Sequence, residues 1–176
     1  MTRFILALLF IVTLSHADAK KANSKIEEIL KSSFDKVSNV TPKQLLLTKT
    51  RYKKVQEAAK APLRTKIYRY YTIENEEELV GYAVLISRTL RTKKAVVLYA
   101  FDTNDTLVLS EIMAFSEPPE FSPNSQWMTL LQNQPKSAKL TLGKDIPTIS
   151  GSTLSARTLT QAARIARAIY SEILKK

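Results

Sequence analysis

Between Lys66 and Phe115 the chain passes through four segments rich in β-branched and aromatic residues, at 66–73, 79–89, 94–101 and 106–115. Such side chains fit the pleated, half-buried surface of a sheet. Asp102-Thr103-Asn104-Asp105, between the last two, has the composition of a hairpin turn. The block is therefore read as an antiparallel meander of about four strands. Helical patterns flank it. Ile26, Ile29, Leu30, Phe34 and Val37 recur at helical spacing from Ser24 to about Val37, with Ser24 available as N-cap. Thr41-Pro42 reads as the start of a second, short helix, and 51–61 as a third. The run Glu117 to Pro123, with three prolines, breaks regular structure, and a short helix is expected over 125–132.

The last segment is the clearest helix. Leu159, Ala162, Ile165, Ala166, Ile169, Ile173 and Leu174 recur at spacings of three and four, while Arg157, Arg164, Arg167 and Ser171 take the other side. Thr158 with Gln161 fits a capping box, and Ser155 is a rival N-cap. The expected fold class is α+β: a meander with helices at both ends, the last one following a Ser-Gly-Ser-Thr loop. No internal repeat, low-complexity tract or linker divides the chain. Residues 20–64 read as an N-terminal helical segment forming one globular unit with 65–176.

Residues 1–19 have a different character. Arg3 precedes the apolar run Phe4 to Val12, and Ala17-Asp18-Ala19 forms an A-x-A pattern just before Lys20-Lys21. That layout predicts a cleavable secretory signal, its apolar core being short for a bilayer span. An uncleaved anchor is the alternative. In either case the remainder is expected in the periplasm, and no later segment reads as a membrane span.

Export changes the chemical inventory. The chain has one histidine, His16, which leaves with the signal, and it has no cysteine. Without these ligands, zinc, copper, iron–sulfur and ordinary haem sites are disfavoured. So are Ser–His and Cys–His nucleophile pairs. The net charge of +11 admits acidic partners. The basic residues are nevertheless dispersed, acids such as Glu74, Glu76, Glu77 and Glu78 are interleaved, and no nucleic-acid module is present. A solvated basic surface that attracts acidic redox or assembly partners is the expectation, with no nucleic-acid partner.

Only three glycines occur, and one of them, Gly151, sits in Ser150-Gly151-Ser152-Thr153-Leu154-Ser155-Ala156. Glycine permits a tight turn and close approach. Hydroxyls and unpaired first-turn N–H groups at a helix start favour an anion. This local chemistry reads as a phosphate seat, with a merely capped loop as the plainer alternative.

The longer run Leu142 to Ala156, with its Ser150-Gly151-Ser152-Thr153 core, resembles the signature of the FMN-binding domain family. That family includes flavin-carrying periplasmic subunits of the Rnf and sodium-translocating NADH:quinone oxidoreductase complexes. Val80-Gly81-Tyr82-Ala83-Val84, Phe115-Ser116-Glu117-Pro118-Pro119 and Trp127 also look similar, so the likeness spans roughly 65–174. The resemblance implies FMN joined by a phosphoester to Thr153, with Ser150, Gly151, Ser152, Leu154 and Ser155 forming the loop around the phosphate. It implies an ApbE-type flavin transferase that uses FAD and magnesium, because no histidine is at hand to activate the threonine. It also implies an electron-transfer role beside a redox partner, which could be a membrane-bound complex. Arg157 is the candidate cation near the flavin, and Tyr82, Phe115, Pro118 and Trp127 are candidate ring contacts. Two positions depart from the pattern. Ser152 stands where the family has alanine, and Pro147 stands at the family's aspartate position, with Asp145 two residues earlier.

Two other readings remain at this stage. A related domain could hold flavin non-covalently, or carry none and serve as an assembly or binding module. A hydrolase would need a Ser–Lys arrangement, for which Lys144 is the nearby candidate.

Overall fold

A computed structural model describes residues 21–76 and 78–175. The expected signal at 1–19 lies outside the described residues. The fold is α+β, with an antiparallel sheet and helices at both ends of the sequence. Helix α1 runs through 21–33. Strand β1 (Asn39–Leu46) and helix α2 (Lys49–Ala59) follow, then β2 (Ile67–Asn75), β3 (Glu78–Thr89), β4 (Lys94–Asp102) and β5 (Leu107–Phe115). A 3-10 turn (Pro119–Phe121), a short helix α3 (Ser125–Thr129) and the long helix α4 (Thr153–Ile169) complete the chain, α4 ending in a π turn (Tyr170–Leu174).

The sheet has five strands in the order β1-β2-β3-β4-β5, every neighbouring pair antiparallel. The additional strand is β1, and it corrects the expectation of a helix starting at Thr41-Pro42. A residue before proline is pushed towards extended backbone, so Thr41 favours a strand. Proline, lacking an N–H, is tolerated there because β1 is an edge strand. Pro42 lies opposite Tyr71.

Strand β4 shows how the layers form. Val97, Tyr99 and Phe101 enter the core shared with α2 and α4, whereas Leu98 and Ala100 enter a smaller core containing Ile26 and Leu30 of α1. This is the two-residue alternation of a strand, and because both faces are covered, β4 is apolar from Ala95 to Phe101. Tyr99 is fully buried and donates its hydroxyl to the Leu159 carbonyl at 2.9 Å, fixing α4 on the sheet. Leu159, Ile165 and Ile169 are almost wholly buried, each contributing about 1.5–3 kcal/mol of apolar transfer energy. The β4–β5 hairpin turns where expected: Asp102 Oδ1 accepts the N–H groups of Asn104 and Thr106 at 2.9 and 2.8 Å. Among the described residues, no helix is long and apolar enough to cross a membrane.

Helix α4 begins earlier than the capping patterns predict. Thr158 and Ser155, the two expected caps, lie inside it, and Ser152 occupies the N-cap position. The cause is the turn before it. Gly151 takes φ +76°, in the left-handed region, and the Ser152 N–H donates to the Ile149 carbonyl at 3.1 Å. The chain thus reverses within Ser150-Gly151 and enters the helix at once. Gln161, the other half of the expected capping box, accepts instead from Arg88 at 3.4 Å.

Candidate functional site

Three segments converge at the start of α4. The Ser152 hydroxyl does not cap the helix; it donates to the Glu120 carbonyl at 3.1 Å and ties the loop to the 3-10 turn. Thr153 is exposed as the first helical residue, its hydroxyl donating to the Ile149 carbonyl at 3.2 Å. The N–H groups of Thr153, Leu154 and Ser155 belong to the first turn, which has no intrahelical acceptors. With no side-chain cap, they lie at the positive end of the helix dipole. Leu154 is 42% exposed and Ser155 is buried. Arg157 is exposed one turn further on, four residues from Thr153 and so on the same helix face.

The third segment is the β3–β4 turn, which brings Arg91. Gly151 to Ser155 line a pocket of about 230 Å³ together with Arg91 and Phe121. The Arg91 guanidinium carbon lies 4.3 Å from the centroid of the Phe121 ring. The turn carrying Arg91 is fastened by the buried Glu117, whose Oε1 accepts the N–H groups of Arg91, Thr92 and Lys93 at 3.0, 2.7 and 2.7 Å. Those bonds, led by the ones from Lys93 and Thr92, hold the Glu117 carboxyl below the usual glutamate range. A carboxyl with a depressed folded-state pKa stabilises the fold above the ordinary glutamate value and loses that contribution as pH falls through the folded pKa. Acid titration of thermal unfolding is therefore expected to show a stability loss setting in below about pH 4.5. In Glu117→Gln that component should be absent.

Of the expected ring contacts, only Trp127 lines either of the loop pockets. Trp127, positioned by the Asn124 cap of α3, borders a neighbouring pocket of about 540 Å³ with Thr148, Ile149, Ser150 and Ser152. Pro118 is exposed beside Arg91 and Phe121. Phe115 ends β5 opposite Ala95 and packs against the main core, lining neither loop pocket. Tyr82 lies elsewhere. It pairs with Phe101 across β3 and β4 and meets Tyr170 edge-on at 6.0 Å, at the far end of α4. Seventeen helical residues separate the two ends of α4, a span of about 25 Å. Tyr82 thus packs, half-buried, against the edge of the core and is not a wall of this site.

The departure at Pro147 has a structural counterpart. Its carbonyl accepts the Trp127 indole N–H at 2.9 Å, so this residue orients Trp127 through its backbone. Asp145 turns away, accepting the Thr141 N–H at 2.9 Å within its own turn. Lys144 lines neither loop pocket, and Ser155 is 1% exposed, which disfavours a Lys144–Ser155 hydrolase pair. Arg91 and Phe121 were not among the sequence candidates. Their approach depends on the strand register that carries the β3–β4 turn to α4, and neither residue sits in a local motif.

A hypothetical Cβ on Gly151 meets nothing within 4 Å. Gly151→Ala should therefore incur only the left-handed backbone penalty, about 1–2 kcal/mol. Thermal melts are expected to show a decrease of roughly 3–6 °C.

Compared with known proteins, the chain matches no family model, and no curated protein is a significant match to it.

Proposed function

We propose that the protein is an exported electron-transfer flavoprotein that carries FMN through a phosphoester on Thr153. The observation that supports this most strongly is the exposed Thr153 hydroxyl at the uncapped start of α4, sharing a pocket with Arg91. First-turn N–H groups and a guanidinium suit a phosphate diester, which keeps one negative charge after attachment. Phe121 lines the Thr153 pocket as an apolar surface for a planar ring, whereas Trp127, 7% exposed, borders only the neighbouring pocket. When bound, the flavin supplies the redox chemistry; the protein supplies position and electrostatics.

Thr153 does not activate itself. Its hydroxyl is engaged with the Ile149 carbonyl, and no base lines its pocket. Attachment therefore falls to a separate ApbE-type, magnesium-dependent transferase. The threonine oxygen bonds to the phosphorus of the FMN half of FAD, the phosphoanhydride bond breaks, AMP departs, and the hydroxyl proton passes to the transferase. Arg91 and Arg157 then flank the phosphate, and their positive charge favours an anionic reduced flavin nearby. The basic surface suits an acidic redox partner, free or membrane-bound.

Co-expression with such a transferase, followed by a denaturing gel, tests the reading. Flavin fluorescence should travel with the denatured chain. Fluorescence lost on denaturation would favour a non-covalent flavin, and none at all in native protein would favour an assembly module.

A further inference from the structure

A second charged cavity lies on α4, away from the Thr153 loop. It has a volume of about 390 Å³ and is bounded by the end of α2, the segment 136–141 and α4. Lys60, Lys136, Lys139, Arg164 and Arg167 line it, and Glu172 is the one carboxylate there. Glu172 is already paired with Lys54 at 2.8 Å, and Lys136 with Asp105 at 3.1 Å. Arg167 is committed to the fold, donating to the Ala138 carbonyl and, at 3.3 Å, to the Gln134 carbonyl.

Arg164 has no such commitment. Among the described residues no ion pair includes it, and its Nε is buried without a hydrogen-bond partner, as is that of Arg167. Arg164 is half-buried, and a partly desolvated guanidinium without a counter-charge is stabilised when an anion joins it. Burial pushes the pKa of both arginines down, in keeping with charges that lack compensation. Ala58, Ala59, Ala138 and Ala168 provide a small apolar lining beside these cations.

We propose that this cleft is a binding site for a small organic oxyanion, a carboxylate or a phosphate ester, held by Arg164 with Lys139 at the rim. The alanines accommodate its carbon skeleton. Arg164 lies eleven residues along α4 from Thr153, about 16 Å, so the site is separate from the proposed flavin anchor and does not depend on it.

Calorimetric titration of the full chain with succinate, inorganic phosphate and sodium chloride at matched ionic strength tests this. Saturable binding of succinate or phosphate, but not chloride, is expected, and the tighter of the two identifies the headgroup. Arg164→Gln should weaken it about tenfold or more, the loss of one charge-assisted contact. Lys139→Glu, an exposed rim change, should weaken it as well, and Thr153→Ala should leave it unchanged. Heats that track ionic strength alone, or wild-type affinity retained in Arg164→Gln, would overturn the proposal.

Discussion

Replacing Thr153 by alanine is expected to abolish covalent flavin completely, while Thr153→Ser should retain it. The distinction follows from the bond proposed: the phosphoester needs a hydroxyl at the first position of α4, and both serine and threonine supply one. Thr153→Val keeps the β-branched shape without the hydroxyl and should behave like alanine. None of the three should alter the fold much, because Thr153 is exposed and its hydroxyl makes a single hydrogen bond to the Ile149 carbonyl. A loss of that size is about 0.5–1.5 kcal/mol. In-gel flavin fluorescence beside thermal melts separates the two effects. Loss of flavin in Thr153→Ala and Thr153→Val with near-normal melting indicates the anchor. Retained covalent flavin in Thr153→Ala would place it on another residue.

The largest stability effect is expected at Gly81. A Cβ there would stand 2.5 Å from the Phe101 carbonyl oxygen and 2.7 Å from Cε1 of Phe34. The first neighbour is backbone of the paired strand β4 and has little room to yield; the second is a side chain that can. Overpacking of this kind costs about 1–3 kcal/mol, occasionally more. For Gly81→Ala we expect the upper end, about 3 kcal/mol, seen as a decrease of roughly 6–12 °C in melting temperature. Gly81→Val should be worse. Adding Phe34→Ala to Gly81→Ala should relieve only the ring contact, so a double-mutant cycle will show coupling without full recovery. Gly143→Ala is the control: its φ is +81° but nothing stands within 4 Å, so only the backbone penalty applies. Equal losses at Gly81 and Gly143 would refute the close-approach explanation.

Gly81 also shows what the sequence did and did not make legible. It entered as part of a motif resemblance, yet its environment in the sheet is sufficient reason for a glycine. The strands were readable because Val, Ile, Tyr and Phe cluster between turn residues, and β4 in particular is apolar on both faces. β1 is not legible in the sequence, because Thr-Pro serves helix starts and edge strands alike and only pairing with β2 decides between them. The long stripe on α4 was plain, but its first turn was not. A capping pattern at Thr158 competes poorly with a left-handed glycine seven residues earlier that starts the helix sooner.

The site divides in the same way. Thr153, its loop and Arg157 are local in sequence, so their proximity could be read directly. Trp127 is oriented by donating its indole N–H to the Pro147 backbone carbonyl, a bond to which the proline side chain contributes nothing. Arg91 and Phe121 come from distant segments, placed by Glu117 and by the sheet register. Tyr82, by contrast, was carried in by its neighbours in the motif and belongs to the opposite end of α4.

Mass spectrometry of the full-length protein, co-expressed with an FAD-dependent flavin transferase, tests the central claim most directly. The account predicts an intact-mass increase of one FMN less one water, assigned by peptide mapping to the segment containing Thr153. An unmodified mass under conditions where the same transferase loads a known substrate, or an adduct mapped to another peptide, would contradict it.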